Sequence, residues 1–153
     1  MTLMEDLSLH ILDIVENAVR AGGNNIKVNI TEDRNADTMT VTIEDDGKGM
    51  DRQTLEKATD PFFTTTEGRH IGLGLSLLAQ AAQQTGGSLE IDSKLAKGTK
   101  VSAVFNAGHP DMKPIGNLLD TISALTAANP RTRFVFDCKK GDYEYHFDSS
   151  KQD

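Results

Sequence analysis

The chain has 153 residues, 37% of them apolar, and a formal charge of −7; these values suit one domain with a real core and argue against a nucleic-acid groove or an anionic membrane as partner. A single cysteine, Cys138, excludes an internal disulfide and a cysteine-based zinc cluster. The opening MTLMEDLS has neither a basic region nor an apolar segment of signal type, and no 18-residue apolar run occurs, so a soluble cytoplasmic protein is expected.

Thr2 and Glu5 form a capping-box start. Leu7, Ile11, Ile14, Val15, Ala18 and Val19 then recur at helical spacing until Gly22-Gly23 stops the helix. IKVNITE (26–32) and DTMTVTIED (37–45) alternate as strands around a polar turn. Residues 51–59 read as a short helix, DPFFTTTEGRH (60–70) as a loop, and about 72–85 as a helix closed by Gly86-Gly87. SLEIDS and TKVSAVFN are two further strands joined through KLAKG. Residues 114–128 put Ile115, Leu118, Leu119, Ile122 and Leu125 on one helical face. TRFVFDC and DYEYHFD flank Lys-Lys-Gly-Asp as a terminal hairpin. Phe134, Phe136 and Cys138 share one face of its first strand, and Tyr143, Tyr145 and Phe147 one face of its second, as a core extension or a docking surface. The whole reads as an α+β fold: a two-layer α/β sandwich with a mixed, mostly antiparallel sheet, helices on one face, and a C-terminal helix and β-hairpin.

Four short segments are candidates for chemistry. Asp13, Asn17 and Arg20 fall at i, i+4 and i+7 on a polar stripe of the first helix. A carboxylate, an amide and a guanidinium so placed can hold a hydrated magnesium and a phosphate, or simply face water. EDDGKGM (44–50) follows a strand and is either a turn or a place where a flat ring lies against glycine backbone while Asp45 accepts from an exocyclic amine. Adenine has that donor where guanine has a carbonyl oxygen, so a buried Asp45 would select ATP over GTP by about 1–3 kcal/mol. Gly72-Leu73-Gly74-Leu75 opens a helix, where phosphate oxygens reach free amides. Gly98-Thr99 enters a strand.

In this order the segments resemble those of the Bergerat-fold (GHKL) ATP-binding superfamily of gyrase B, Hsp90, histidine kinases and MutL. VENAVRAG is similar to its N box, DDGKGM to its first glycine box and GLGLS to its second, while DPFFTTTEGR resembles the lid entry of nitrogen-regulator-type histidine kinases. The likeness spans residues about 7 to 105. It implies a histidine-kinase-like ATP-binding domain over 1–106, with 107–153 as an extension packed on it. It implies ATP and Mg2+ as ligands, with Asn17, and Asp13 beside it, on the metal and Arg20 on the phosphates. Asp45, Gly47 and Gly49 would surround the adenine, Gly72 and Gly74 would offer amides to the phosphates, and Thr99 would assist Asp45 directly or through water.

The chain also departs from the pattern. Hydrolysing members carry a Glu four residues before the Asn as general base; here that position is Asp13, one methylene shorter and the candidate catalytic residue. Many relatives read Thr-Thr-Lys where this chain has Thr64-Thr65-Thr66, leaving Arg69 or His70 as the substitute contact. None of His10, His70, His109 and His146 has the context of a phosphoacceptor, and His10 reads as a surface histidine. The expectation is a stand-alone kinase catalytic module passing the γ-phosphoryl of Mg-ATP to a partner protein. The alternatives are a slow ATPase and a nucleotide-gated interaction switch without phosphoryl transfer.

Overall fold

Strands with one apolar face and helices with one apolar stripe must bury them against each other, and here they do so in two layers. The computed structural model describes residues 7–58, 73–112 and 115–151. Their elements are α1 (Leu7–Arg20), β1 (Asn25–Asp33), β2 (Thr38–Asp45), α2 (Arg52–Lys57), α3 (Leu73–Gln84), β3 (Ser88–Lys94), β4 (Gly98–Asn106), α4 (Leu118–Ala128), β5 (Arg133–Lys140) and β6 (Tyr143–Asp148), ending in a 3-10 turn, Ser149–Lys151. The expected cap at Thr2 and Glu5, the loop 60–70 with Thr64, Thr65, Thr66, Arg69 and His70, and Gly72 lie outside the described residues.

The strands form one sheet in the order β3-β4-β2-β1-β5-β6. Every neighbouring pair is antiparallel except β1 with β5. Strand alternation sends Val28, Val41, Phe105 and Phe134 to one face, where each is at most 1% exposed. Over them lie Ile11 and Val15 of α1, Leu78 of α3 and Ile122 of α4, all buried. The opposite face carries Lys27, Thr42, Lys100 and Ser102 and remains at least partly open to solvent. The result is the expected α+β sandwich with helices on one side. β5 enters the sheet through eight residues in register with β1, from Asn25↔Arg133 to Glu32↔Lys140.

Helix ends follow local chemistry. Past α1, Gly22 takes φ +85°, its amide donates to Val19 O at 3.0 Å, and that of Gly23 donates to Ala18 O at 3.0 Å. This left-handed C-terminal turn satisfies carbonyls that the helix leaves unpaired. Asp51 caps α2 by accepting from Thr54 N at 2.7 Å.

Three expectations are corrected. The amphipathic helix expected over 114–128 starts at Leu118, because Gly116 has φ +82° and the Asn117 side chain caps the helix by accepting from Asp120 N at 3.1 Å. Ile115 therefore precedes the helix, and Leu119 points outward at 40% exposure while Leu118, Ile122 and Leu125 are buried. His10, expected at the surface, is 3% exposed, because the first turn of α3 closes on its segment of α1. The hairpin turn shortens to Gly141-Asp142, and Lys139 and Lys140 pair within β5. The aromatic faces divide: Phe134 and Phe136 join the core, Tyr145 and Phe147 pack against it half-buried, and Tyr143 is 57% exposed.

The register of α4 is tested by truncation. Ile122→Ala is expected to cost about 2–4 kcal/mol in urea unfolding, and Leu119→Ala within about 0.5 kcal/mol; equal losses would contradict this register.

Candidate functional site

β2 ends in two adjacent carboxylates with opposite surroundings. Asp46 Oδ1 accepts from the backbone amides of Asn24 at 2.7 Å and Asn25 at 2.9 Å, and its Oδ2 accepts from Asn25 Nδ2 at 2.8 Å. The Asn25 side chain, helped by these amides, holds the Asp46 carboxyl below its ordinary value. Asp45 lies in register between Ile26 of β1 and Thr99 of β4. Burial pushes its pKa up; the Gly47 amide, donating to Oδ1 at 2.8 Å, pulls it back in part, and the Asp46 charge adds to the rise. One carboxylate thus ties the chain together, and the other is held at a cost.

The loop after them is sewn to both flanks. Lys48 N donates to Ala21 O at 3.0 Å, Ala96 N to Lys48 O at 2.7 Å, and Met50 N to Ser93 Oγ at 2.9 Å. Gly49 has φ +68°, and a Cβ on it would sit 2.0 Å from Lys94 O. This glycine is required by the close approach of the chain's own β3–β4 hairpin. Gly47 is buried beside Asp45, where a Cβ would lie 3.0 Å from both Asp45 Oδ1 and Ala21 O.

Thr99, the expected assistant of Asp45, instead pairs its hydroxyl with Ser93 Oγ at 2.8 Å. Ser93 donates its one proton to Gly98 O at 3.1 Å, so Thr99 is the donor to Ser93 and has no second proton for the carboxylate. Ser93, 8% exposed, went unnoticed in the sequence. The available signal was a hydroxyl at an inward position of β3, two residues after Ile91.

On α1, Asp13 and Asn17 are half-buried and Arg20 is exposed. Arg20 Nη2 donates to Asn17 Oδ1 at 2.6 Å, so the guanidinium meets the amide rather than Asp13. A Cβ on Gly74 would lie 2.7 Å from Asp13 Oδ2 and 3.1 Å from His10 O. Gly74 thus lets α3 close on α1 and brings the Asp13 carboxylate against the first turn of α3, where helix amides favour negative charge. The two halves of the site meet at the end of α1: Ala21 N donates to Asn17 O at 2.9 Å, and a Cβ on Gly23 would lie 3.5 Å from Asp45 Cβ.

The described residues bring Asp45, Gly47, Gly49, Gly98 and Thr99 together at the strand ends, with Asp13, Asn17, Arg20 and Gly74 on the adjoining helices; Gly72 is outside them. A concavity of about 700 Å³ opens mainly on the helix-free side of the strand ends, lined by Lys27, Glu44, Asp92, Lys100 and Val135 and reaching Asp45 and Thr99 at its edge; none of its described lining residues belongs to α1 or α3. Among the described residues no group of three or more His, Cys, Asp or Glu is arranged to hold a metal, and no helix is long and apolar enough to cross a membrane.

Comparison with known proteins adds the following. The family model described as histidine kinase-, DNA gyrase B-, and HSP90-like ATPase matches residues 4–109. The chain is 34% identical over 104 residues to a putative sensor protein of Shewanella frigidimarina, covering 66% of this chain and 16% of that protein. It is 37% identical over 96 residues to the sensor protein kinase FleS of Pseudomonas aeruginosa, covering 62% of this chain and 23% of the relative. The chain therefore spans less than a quarter of the length of either relative. The Aquifex aeolicus MutL ATPase domain, solved with ADP, superposes with a TM-score of 0.58 at 15% identity, covering 94% of this chain and 64% of that one. This likeness concerns the fold.

The clamp at Asp46 carries a pH signature. Because its pKa is lowered in the folded state, its contribution is present above the ordinary value of 3.8 and fades as pH falls through the lower folded value. Asp46→Ala is expected to lose about 1 kcal/mol in urea titrations at pH 7, with the difference from wild type vanishing only below pH 3.8. A difference that disappears by pH 5 would contradict this assignment.

Proposed function

The chain belongs to the histidine kinase-, DNA gyrase B- and HSP90-like ATPase family, and from that premise we propose that it binds Mg-ATP beside Asp45 and passes the γ-phosphoryl group to a partner protein. The observation that carries the reading is Asp45: a half-buried carboxylate with a raised pKa, one oxygen fixed by Gly47 N, set beside the chain's exit from α1, where a Cβ on Gly23 would lie 3.5 Å from Asp45 Cβ. A protein that keeps a carboxylate desolvated gains from an incoming donor, and the exocyclic amine of adenine is such a donor. Ser93 and Thr99 stiffen the strand opposite and leave Thr99 Oγ1 able to accept from a water at the base.

The phosphates would lie along α1. Asn17 Oδ1 and the Asp13 carboxylate offer oxygen to a hard cation, and two such groups suit an ion that arrives on its nucleotide rather than one caged by protein. Held there by Asn17 and Asp13, the cation would supply charge neutralisation at the phosphates. Arg20, now on Asn17 Oδ1, would move to the phosphates as the nucleotide enters, exchanging an amide oxygen for a stronger anionic partner. The first turn of α3 at Gly74 would supply backbone amides to the same group.

Transfer is favoured over hydrolysis by the position of Asp13. Its carboxylate lies close against Gly74 and is a methylene shorter than glutamate, which shortens its reach to an attacking water. The acceptor's lone pair would attack the γ-phosphorus in line while ADP departs with the bridging oxygen. Asp13→Asn keeps a side-chain oxygen for the cation, and calorimetric titration with Mg-ATP is expected to find its affinity within a few-fold of wild type.

Asp45→Asn keeps an acceptor for Gly47 N but opposes the adenine amine with an amide. Calorimetric titration with Mg-ATP is expected to show an affinity loss of about tenfold or more, with a melting temperature at pH 7 no lower than wild type because a desolvated charge is removed. ATP should bind the ionised carboxylate, so wild-type affinity should fall as pH drops through the folded pKa of Asp45, above 3.8. Equal affinity of wild type and Asp45→Asn for ATP at every pH would overturn the reading.

A further inference from the structure

β6 ends the sheet, and among the described residues no strand pairs with its outer edge. Natural edge strands are commonly guarded by lysine, proline, a bulge or a covering element, because a row of unpaired backbone donors and acceptors recruits another strand. β6 reads Tyr143-Glu144-Tyr145-His146-Phe147-Asp148, with no lysine or proline, and pairs with β5 in unbroken register.

We propose that β6 is a homotypic docking edge, joining antiparallel to β6 of a second copy of this chain and continuing the sheet across a two-fold axis. The sequence is self-complementary about Tyr145. With Tyr145 opposite its own copy, Glu144 of each chain faces His146 of the other on the helix-free side, and Tyr143 faces Phe147 on the helix side. Both open-face groups are available, since Glu144 is 70% and His146 60% exposed in their side chains. The His146 ring is already oriented by Asp137 through Nδ1, and as imidazolium its second nitrogen donates to the partner's Glu144. On the helix face Tyr143, 57% exposed, gains an aromatic neighbour. Shifting the pairing by two residues in either direction puts Glu144 opposite itself or opposite Asp148, so charge selects this register. The edge is short, and the association is accordingly weak and concentration-dependent.

The test is sedimentation velocity on the complete chain across a concentration series. Wild type is expected to dimerise reversibly. His146→Glu places two carboxylates opposite one another twice by symmetry, Glu144→Lys removes the acceptor that faces the His146 ring, and each is expected to raise the dimer dissociation constant roughly tenfold. The double variant Glu144→Lys/His146→Glu restores opposite charges across the axis and is expected to recover wild-type dimerisation. Within one chain Glu144→Lys still sets a second ammonium beside Lys139, and His146→Glu a second carboxylate beside Asp137, so recovery could not come from repair of the hairpin. Circular dichroism melts establish that each variant is folded. A wild type that stays monomeric, a dimer that neither single variant weakens, or a double variant no better than the singles would each overturn the proposal.

Discussion

The bond set between Asp46 and the Asn24-Asn25 turn is what the rest of the site depends on. It joins the end of β2 to the start of β1 at the point where α1 has just finished, through three contacts of 2.7–2.9 Å. With that turn fixed, Ala21 O is placed to receive Lys48 N, the glycine loop is held against the β3–β4 hairpin, and Asp45 has one rotational setting, anchored by Gly47 N. A carboxylate kept partly out of water has to be immobilised by neighbours, since left to itself it would turn toward solvent.

The same turn reaches the far side of the sheet. Arg133 N donates to Asn24 O at 2.8 Å, and the Arg133 side chain makes two bonds to Asp148, at 3.1 and 2.6 Å. The guanidinium and Ser150 hold the Asp148 carboxyl well below the usual carboxylate range. The C-terminal hairpin is thereby bonded to the residues that position Asp45. Those bonds make β5 and β6 part of the frame of the site.

Much of the fold was legible in the sequence because its signals are local: alternation over 38–45, the apolar stripe of α1 and the paired glycines after α1 and α3 each report on a few consecutive residues. The candidate site was legible as an ordered set of short segments. What escaped was tertiary. Gly49 and Gly74 are also required by close approaches to other parts of the chain, Lys94 O and Asp13 Oδ2, which no local pattern announces. His10 is polar on a helix yet buried, because α3 approaches at that point. Leu119 fits a helical period counted from Ile115, and only the cap at Asn117 shows that the count begins later. Ser93 stands outside every motif, and Asp46 stands inside one whose expected role falls to its neighbour Asp45; their roles consist of bonds to residues 5 to 43 positions away.

The central claim is that Asp45 is held ready for a purine amine, and it is tested most directly by following the Asp45 carboxyl carbon by NMR through an acid titration, with and without Mg-ATP. The account expects a titration midpoint above 3.8 in the free protein, moving to lower pH with ATP because a donor now stabilises the charged form, and staying put with Mg-GTP. A midpoint that ATP and GTP leave equally unmoved would contradict it.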